Sequence, residues 1–300
     1  MKLLVTGAWQ GAKSNLEPLI DMGHTVVFQQ QEKDPLVCDP ASVEGVIGNG
    51  LFLHHPIEAF TNLRYIQLTS AGFDRVPMQT VTARGITIRN ARGVYSIPMA
   101  EHALWGVLTL YRQGAFFTAK QVQGVWEKRR DLAELCGKTV CVLGTGSVGV
   151  CCAERFRAMG CRVLGVNRTV RAHAAFDAVY PMERLDETLG IADVVILTLP
   201  LTDATRGLMD AGRFFAMKRG AVLVNISRGA VVDEAALLTA LETRLRGAVL
   251  DVFETEPLPA DSPLWERENV LLTPHNSFVG DGNAARLDKL ILDNLRAFES

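Results

Sequence analysis

Short, almost wholly apolar runs alternate along this chain with longer stretches in which apolar positions recur at helical spacing, and the alternation continues from end to end. A strand buried on both faces reads as a continuous apolar run, and strands alternating with helices are the signature of parallel sheets wound with crossover helices. In the first third the runs predict strands at Leu3–Thr6, Thr25–Phe28, Val43–Ile47, Tyr65–Thr69 and Ile86–Arg89. A second series follows at Thr139–Leu143, Arg162–Val166, Val194–Leu199, Val222–Ile226, Ala248–Val252 and Val270–Thr273. Between the two series, the segment from Pro98 to Val122 has no internal proline and is apolar nearly all round. One long, well-buried helix with two packing partners is expected there. The tail, Ala284 to Phe298, is again helical and is expected to return to the first series of strands.

Composition narrows the class. A chain of 300 residues exceeds the usual size of one core, so two domains are expected. With 48% hydrophobic residues, 21% charged residues and a formal net charge of −2, the chain carries no basic excess for nucleic acid. No apolar run reaches the length of a membrane span, and the first residues run straight into a strand without a signal-peptide pattern. A cytoplasmic protein with no membrane partner is expected. The six cysteines, Cys38, Cys136, Cys141, Cys151, Cys152 and Cys161, form no regular framework and read as reduced thiols.

Candidate chemistry begins where the strand Thr139–Leu143 runs into Gly144-Thr145-Gly146-Ser147-Val148-Gly149 and then into a helical stretch. Strand, GxGxxG and helix in that order form the dinucleotide fingerprint. The first glycine permits the turn, the second lets a pyrophosphate approach the backbone, and the third permits close packing of the helix. Amides at the helix start then face the phosphates with the favourable end of the helix dipole. After the next strand, where an acidic residue normally binds the adenosine ribose, stand Asn167, Arg168 and Thr169. A carboxylate there would repel a 2′-phosphate, whereas an arginine and a hydroxyl offer it donors. NADP(H) is therefore expected in preference to NAD(H). The expected fold is α/β, with two doubly wound parallel-sheet domains. A Rossmann dinucleotide-binding domain, residues 99–279, is inserted into a discontinuous flavodoxin-like substrate domain, residues 1–98 and 280–300.

Three more segments fall at the C-terminal ends of predicted strands, where open α/β sheets place their ligands. They are Asn225-Ile226-Ser227-Arg228-Gly229, Asp251 through Leu258, and Leu272-Thr273-Pro274-His275-Asn276. With these and the glycine loop, the runs LTLPLTDAT from Leu197, SRGAVVDEAAL, LDVFETEPLP and SPLWERENVLLTPH make the chain resemble the D-isomer-specific 2-hydroxyacid dehydrogenases. That family includes phosphoglycerate dehydrogenase and the glyoxylate/hydroxypyruvate reductases, and the resemblance covers nearly the whole chain.

The resemblance implies NAD(P)H-dependent reduction of a small 2-oxo acid to a D-2-hydroxy acid, and the reverse. Arg228 matches the arginine that steers the substrate carboxylate and polarises its carbonyl, tasks that suit a planar guanidinium. His275 matches the acid/base histidine, and Glu256 the carboxylate that orients it. Glu254 is the rival: residues two apart on extended chain point the same way, so only the family register selects Glu256. Asp251 matches an aspartate on the nicotinamide amide, though it could also cap its turn. Leu199, Pro200, Thr205, Ile226 and Ser227 match cofactor-lining positions. Ser70, Ala71 and Gly72 match the loop whose amides hold the substrate carboxylate, with small residues allowing close approach. The specificity pocket is expected around Gly48–His55 and Tyr95. That stretch has no cation for a phosphate-bearing substrate, and His54 and His55 have no third ligand, so no metal is expected. His102 has family counterparts in a structural role. The family's corresponding helix forms a two-fold interface, so Leu104, Trp105, Val107, Leu108 and Leu110 are expected to support a homodimer. A dinucleotide-sensing, corepressor-like binding protein without significant turnover is the alternative. Formate or phosphite oxidation on the same scaffold is a third reading.

Overall fold

The computed structural model describes residues 1–299. The chain forms two compact units, one made of Met1–Tyr95 with the segment from Gly280, the other of Ser96–Val279.

In the first unit, β1 (Lys2–Thr6), α1 (Leu16–Asp21), β2 (Thr25–Gln29), β3 (Gly45–Gly48), β4 (Tyr65–Leu68), α2 (Met78–Ala83) and β5 (Thr87–Arg89) build a parallel sheet in the order β2-β1-β3-β4-β5. Alternate residues of one strand face opposite sides. Leu3 and Val5 join one core cluster while Leu4 joins the other, which is why the run is apolar without a break. The C-terminal helix, Asn283–Glu299, belongs to this unit and buries Leu287, Ile291 and Leu295 at helical spacing. The Trp9 indole donates to its Asp288 at 2.5 Å, and its Asn294 amide to Gln67 at 2.9 Å.

The second unit runs α3 (Ser96–Tyr111), α4 (Gly114–Gln123), β6 (Thr139–Leu143), α5 (Ser147–Ala158), β7 (Arg162–Val166), β8 (Ala178–Tyr180), α6 (Leu185–Ile191), β9 (Val194–Leu197), α7 (Ala211–Ala216), β10 (Val222–Asn225), α8 (Glu234–Thr243), β11 (Gly247–Leu250) and β12 (Val270–Leu272). Its parallel sheet has the order β12-β11-β10-β9-β6-β7-β8. The six expected strands are present, and β8 is an additional edge strand of three half-buried residues. Core clusters lie on both faces, with Val140 and Val142 in one and Cys141 and Leu143 in the other.

The single helix expected from Pro98 to Val122 is two helices. Gln113 takes a left-handed φ of 56° between them, a conformation that ends α-helical hydrogen bonding. The first, α3, packs with Ala100, Ala103, Val107 and Tyr111 inward, and at Gly106 a side chain would meet Val249 at 2.5 Å. Trp105 on its other face remains 48% exposed, so burial is one-sided. All six cysteines are free, and burial pushes the Cys161 thiol up to about 11 and Cys152 up to about 12, which keeps both protonated. Among the described residues no helix is long and apolar enough to cross a membrane.

Candidate active site

The glycine loop follows β6 as a tight turn. Gly144 has φ 100°, and its amide donates to the Val166 carbonyl at 2.8 Å. A Cβ at Gly149 would lie 1.9 Å from the Gly144 carbonyl oxygen, so the third glycine closes the turn against the first. Gly146 is the opposite case, because a Cβ there would meet nothing within 4 Å. The first intrahelical bond of α5 runs from the Val150 amide to the Gly146 carbonyl at 2.9 Å, which leaves the amides of residues 147–149 without helical acceptors. An open glycine facing such donors fits a dinucleotide pyrophosphate. Thr145 and Ser147 lie along this turn, while Val148 packs toward the core.

Beyond β7, the Asn167 amide donates to the Thr145 hydroxyl at 3.0 Å and to the Thr169 carbonyl at 3.2 Å, tying this loop to the glycine turn. Arg168 and Thr169 are exposed beside it. Leu199 is buried after β9, and the Thr205 hydroxyl closes the following turn onto the Pro200 carbonyl at 2.7 Å. After β10, Ile226 and Ser227 are buried, and Ser227 is fixed by the Asn225 side chain, whose amide also donates to the Arg228 carbonyl at 3.0 Å. A Cβ at Gly229 would fall 1.8 Å from the Phe253 carbonyl carbon, so only glycine lets the Arg228 turn pack there.

His275 follows β12 with φ 51°, and its Nδ1 lies 2.8 Å from Glu256 Oε2. The other oxygen of Glu256 accepts from the Phe253 amide at 3.0 Å. An ionised carboxylate only accepts, so the ring carries its proton on Nδ1 toward Glu256 and leaves Nε2 for a reacting group. The imidazole is 43% exposed on the side chain, open to a small molecule. Glu254 lies near Glu234, whose pKa is raised by burial first and by the Glu254 charge second.

Asp251 caps its turn, as one of its two expected roles has it. It is fully buried and accepts from the Thr273 hydroxyl at 2.6 Å, the Asn276 amide at 2.7 Å and the Ser277 amide at 3.0 Å. Thr273 also contacts His102 Nε2 at 3.2 Å. Neither Thr273 nor His102 stood out by residue type alone: the pairing of β11 with β12 brings Thr273 to Asp251, and α3 brings His102 to Thr273.

In the first unit, Ser70, Ala71 and Gly72 form the loop after β4. The Ser70 carbonyl accepts from the Ala91 amide at 2.9 Å and the Ala71 carbonyl from the Asn90 side chain at 2.6 Å. Among the described residues the amides of Ser70, Ala71 and Gly72 have no protein acceptor. The Tyr95 hydroxyl donates to the Thr69 carbonyl. The neighbouring Gly48–Gly50 loop is held by a residue that sequence reasoning missed, Glu32, whose carboxylate accepts from the Thr6 hydroxyl and from the amides of Asn49 and Gly50. His55 Nε2 lies 2.9 Å from the Glu32 carbonyl oxygen. Among the described residues no group of three or more His, Cys, Asp or Glu could hold a metal ion.

The family model of the D-isomer specific 2-hydroxyacid dehydrogenase NAD binding domain matches residues 104–277. D-3-phosphoglycerate dehydrogenase of Archaeoglobus fulgidus is 37% identical over 221 residues, which are 73% of this chain but 42% of that protein, so the chain spans less than half of this relative. (S)-sulfolactate dehydrogenase of Chromohalobacter salexigens is 35% identical over 240 residues, covering 79% of this chain and 78% of that one. Among solved structures, a D-isomer specific 2-hydroxyacid dehydrogenase from Xanthobacter autotrophicus, in complex with NADPH and MES, is 32% identical with a TM-score of 0.81 and covers 99% of this chain and 94% of that one.

Proposed function

The chain belongs to the D-isomer-specific 2-hydroxyacid dehydrogenases, and from that premise we propose that it reduces a small 2-oxo acid to the D-2-hydroxy acid with NADPH. A reduced nicotinamide, when bound along the glycine loop, supplies a hydride for the carbonyl carbon. His275 gives the proton from Nε2 to the carbonyl oxygen, so that one hydride and one proton complete the alcohol. Glu256 fixes the ring through Nδ1. Arg228 binds the carboxylate and draws charge from the carbonyl oxygen, and the amides of Ser70, Ala71 and Gly72 are donors of the kind that hold a carboxylate. The observation that carries this reading is the His275–Glu256 bond of 2.8 Å, with Nε2 left to the reactant.

The cofactor preference rests on the Asn167-Arg168-Thr169 corner, where Arg168 and Thr169 are exposed. One charge-assisted hydrogen bond from Arg168 to a 2′-phosphate contributes about 1.5–3 kcal/mol, or roughly 10- to 150-fold in affinity. The test is a spectrophotometric panel of 2-oxo acids, including glyoxylate and hydroxypyruvate, with NADPH and NADH in parallel. Higher kcat/KM with NADPH is expected, and Arg168→Ala should raise KM for NADPH while moving that for NADH little. Equal or better kcat/KM with NADH on the best substrate contradicts the preference, and the absence of turnover with every 2-oxo acid favours a dinucleotide-sensing binding protein.

The protein acts as a homodimer in this reading. Support comes from apolar side chains left outward on α3, on α4 and just beyond it, with Trp105 48%, Val122 84% and Trp126 94% exposed. Such a concentration on one segment exceeds the scattered exposure usual for a monomer.

A further inference from the structure

At the end of β2 the buried Gln29 side chain donates from its amide to the Gln31 and Asp34 carbonyls at 2.9 and 3.1 Å and accepts from the Val37 amide at 3.2 Å. The segment after β2 is thereby folded around one side chain, and it carries Glu32. From there Glu32 reaches the ends of two neighbouring strands, β1 and β3. Its Oε1 accepts from the Thr6 hydroxyl at 2.8 Å and the Asn49 amide at 2.6 Å, and its Oε2 from the Gly50 amide at 2.7 Å. Its main-chain carbonyl accepts from His55 Nε2 at 2.9 Å, further along the same loop. Bonds to an ionised acceptor are the stronger kind. A Cβ at Gly48 would lie 2.6 Å from Glu32 Oε1 and 3.0 Å from the Thr6 hydroxyl oxygen, so the carboxylate fills the space that a side chain there would take.

The turn held in this way lies beside the Ser70–Gly72 loop. Gly48 pairs with Leu68, and the Thr69 amide donates to the Gly48 carbonyl at 2.9 Å, so Asn49 and Gly50 leave β3 next to Thr69 and Ser70 leaving β4. Neighbouring strands run about 4.8 Å apart, which puts Asn49 within reach of a small molecule seated on the amides of residues 70–72. Among the described residues, Asn49 Oδ1 is buried with no hydrogen-bond partner. A polar atom in that state is costly until something pairs with it. Turning the amide over would bury its nitrogen there instead, and a hydroxyl, which both donates and accepts, answers either end.

We propose that Glu32 is a positioning residue that fixes the Gly48–Gly50 turn so that the Asn49 amide receives a hydroxyl on the substrate's side chain, selecting 2-oxo acids that carry one. The proposal rests on the reading that the protein reduces 2-oxo acids. Glu32→Gln keeps the size of the side chain, but an amide oxygen serving Thr6 and Asn49 sets its NH2 against the Gly50 amide, donor against donor. Gly48→Ala acts from the other side by pushing the carboxylate out, and it serves if the Gln variant fails to fold. Asn49→Leu removes the amide while leaving the bond from Glu32 to the backbone of residue 49.

The experiment measures kcat and KM for hydroxypyruvate and pyruvate, which differ by one hydroxyl, together with the NADPH Kd by fluorescence and amide hydrogen exchange on the intact chain. The wild type should favour hydroxypyruvate by about tenfold or more in kcat/KM, the scale of one hydrogen bond to a buried group. Asn49→Leu should lower that ratio about tenfold through a rise in KM, because the contact is to a part of the substrate that does not react. Its exchange across residues 48–53 should stay within about twofold of the wild type, since Glu32 still holds the backbone. Glu32→Gln and Gly48→Ala should lower the ratio about threefold or more and quicken that exchange about tenfold, with the NADPH Kd within about twofold. An unchanged ratio in Asn49→Leu or Glu32→Gln overturns the proposal, as does unchanged exchange in Glu32→Gln or a wild type that prefers pyruvate. If the wild type turns over no 2-oxo acid, the reading beneath the proposal falls and the proposal with it. Turnover of both substrates with a ratio indifferent to Asn49→Leu removes the proposal alone.

Discussion

Glu256 reaches the imidazole because the Phe253 amide holds its other oxygen at 3.0 Å, closing a short loop that turns this carboxylate toward His275. Glu256→Gln can still accept from Nδ1 but only as a neutral amide, a weaker partner than a carboxylate. Steady-state reduction should slow on the order of 10²-fold or more, while Glu254→Gln, whose carboxylate neighbours Glu234, should change the rate by less than about twofold. Equal losses in the two variants would contradict the assignment. The chemical types at the site were legible in the sequence: a histidine after a strand end, an arginine before a glycine, and an acid before a proline. The choice between Glu254 and Glu256 was not, because a two-residue offset on extended chain leaves both side chains pointing one way. Asp251 was harder still. Its donors lie 22, 25 and 26 residues along the chain, and strand pairing rather than local pattern delivers them.

At the scale of elements, the three glycines of the loop divide into two kinds. Gly149→Ala would drive a Cβ to 1.9 Å from the Gly144 carbonyl oxygen, an overpacking expected to cost about 1–3 kcal/mol of unfolding free energy in denaturant titrations. Gly146→Ala meets open space in the free protein, so it should unfold like the wild type yet raise the NADPH Kd by about tenfold, since the methyl would stand where the pyrophosphate approaches. A destabilised Gly146→Ala with unchanged cofactor affinity would contradict this division. The strands were legible because burial on both faces leaves an unbroken apolar run, whereas β8, three half-buried residues at an edge, carries no such signal. The break between α3 and α4 was missed for a related reason. Apolar residues continue through it, and the left-handed turn falls on Gln113, a residue type that does not announce one.

For the whole molecule, the two-unit division follows from the return of the C-terminal helix, whose Leu287, Ile291 and Leu295 complete the first unit's core. The period of its apolar residues was visible in the sequence; its destination came from the order of the elements. The exposed Trp105, Val122 and Trp126 predict a particle of about twice 32.8 kDa in light scattering at micromolar concentration, and a stable, active monomer would contradict the homodimer. The central claim is that His275 exchanges a proton with the substrate while the cofactor exchanges a hydride. It is tested most directly by measuring kcat/KM against pH in both directions, for the wild type and for His275→Gln. Reduction consumes the imidazolium and oxidation needs the neutral ring, so the account predicts that reduction falls and oxidation rises with increasing pH. It also predicts that His275→Gln flattens both profiles and lowers both rates on the order of 10²–10⁴-fold, with NADPH affinity nearly intact. Profiles that run in the same direction, or a His275→Gln variant with the wild-type rate, would contradict it.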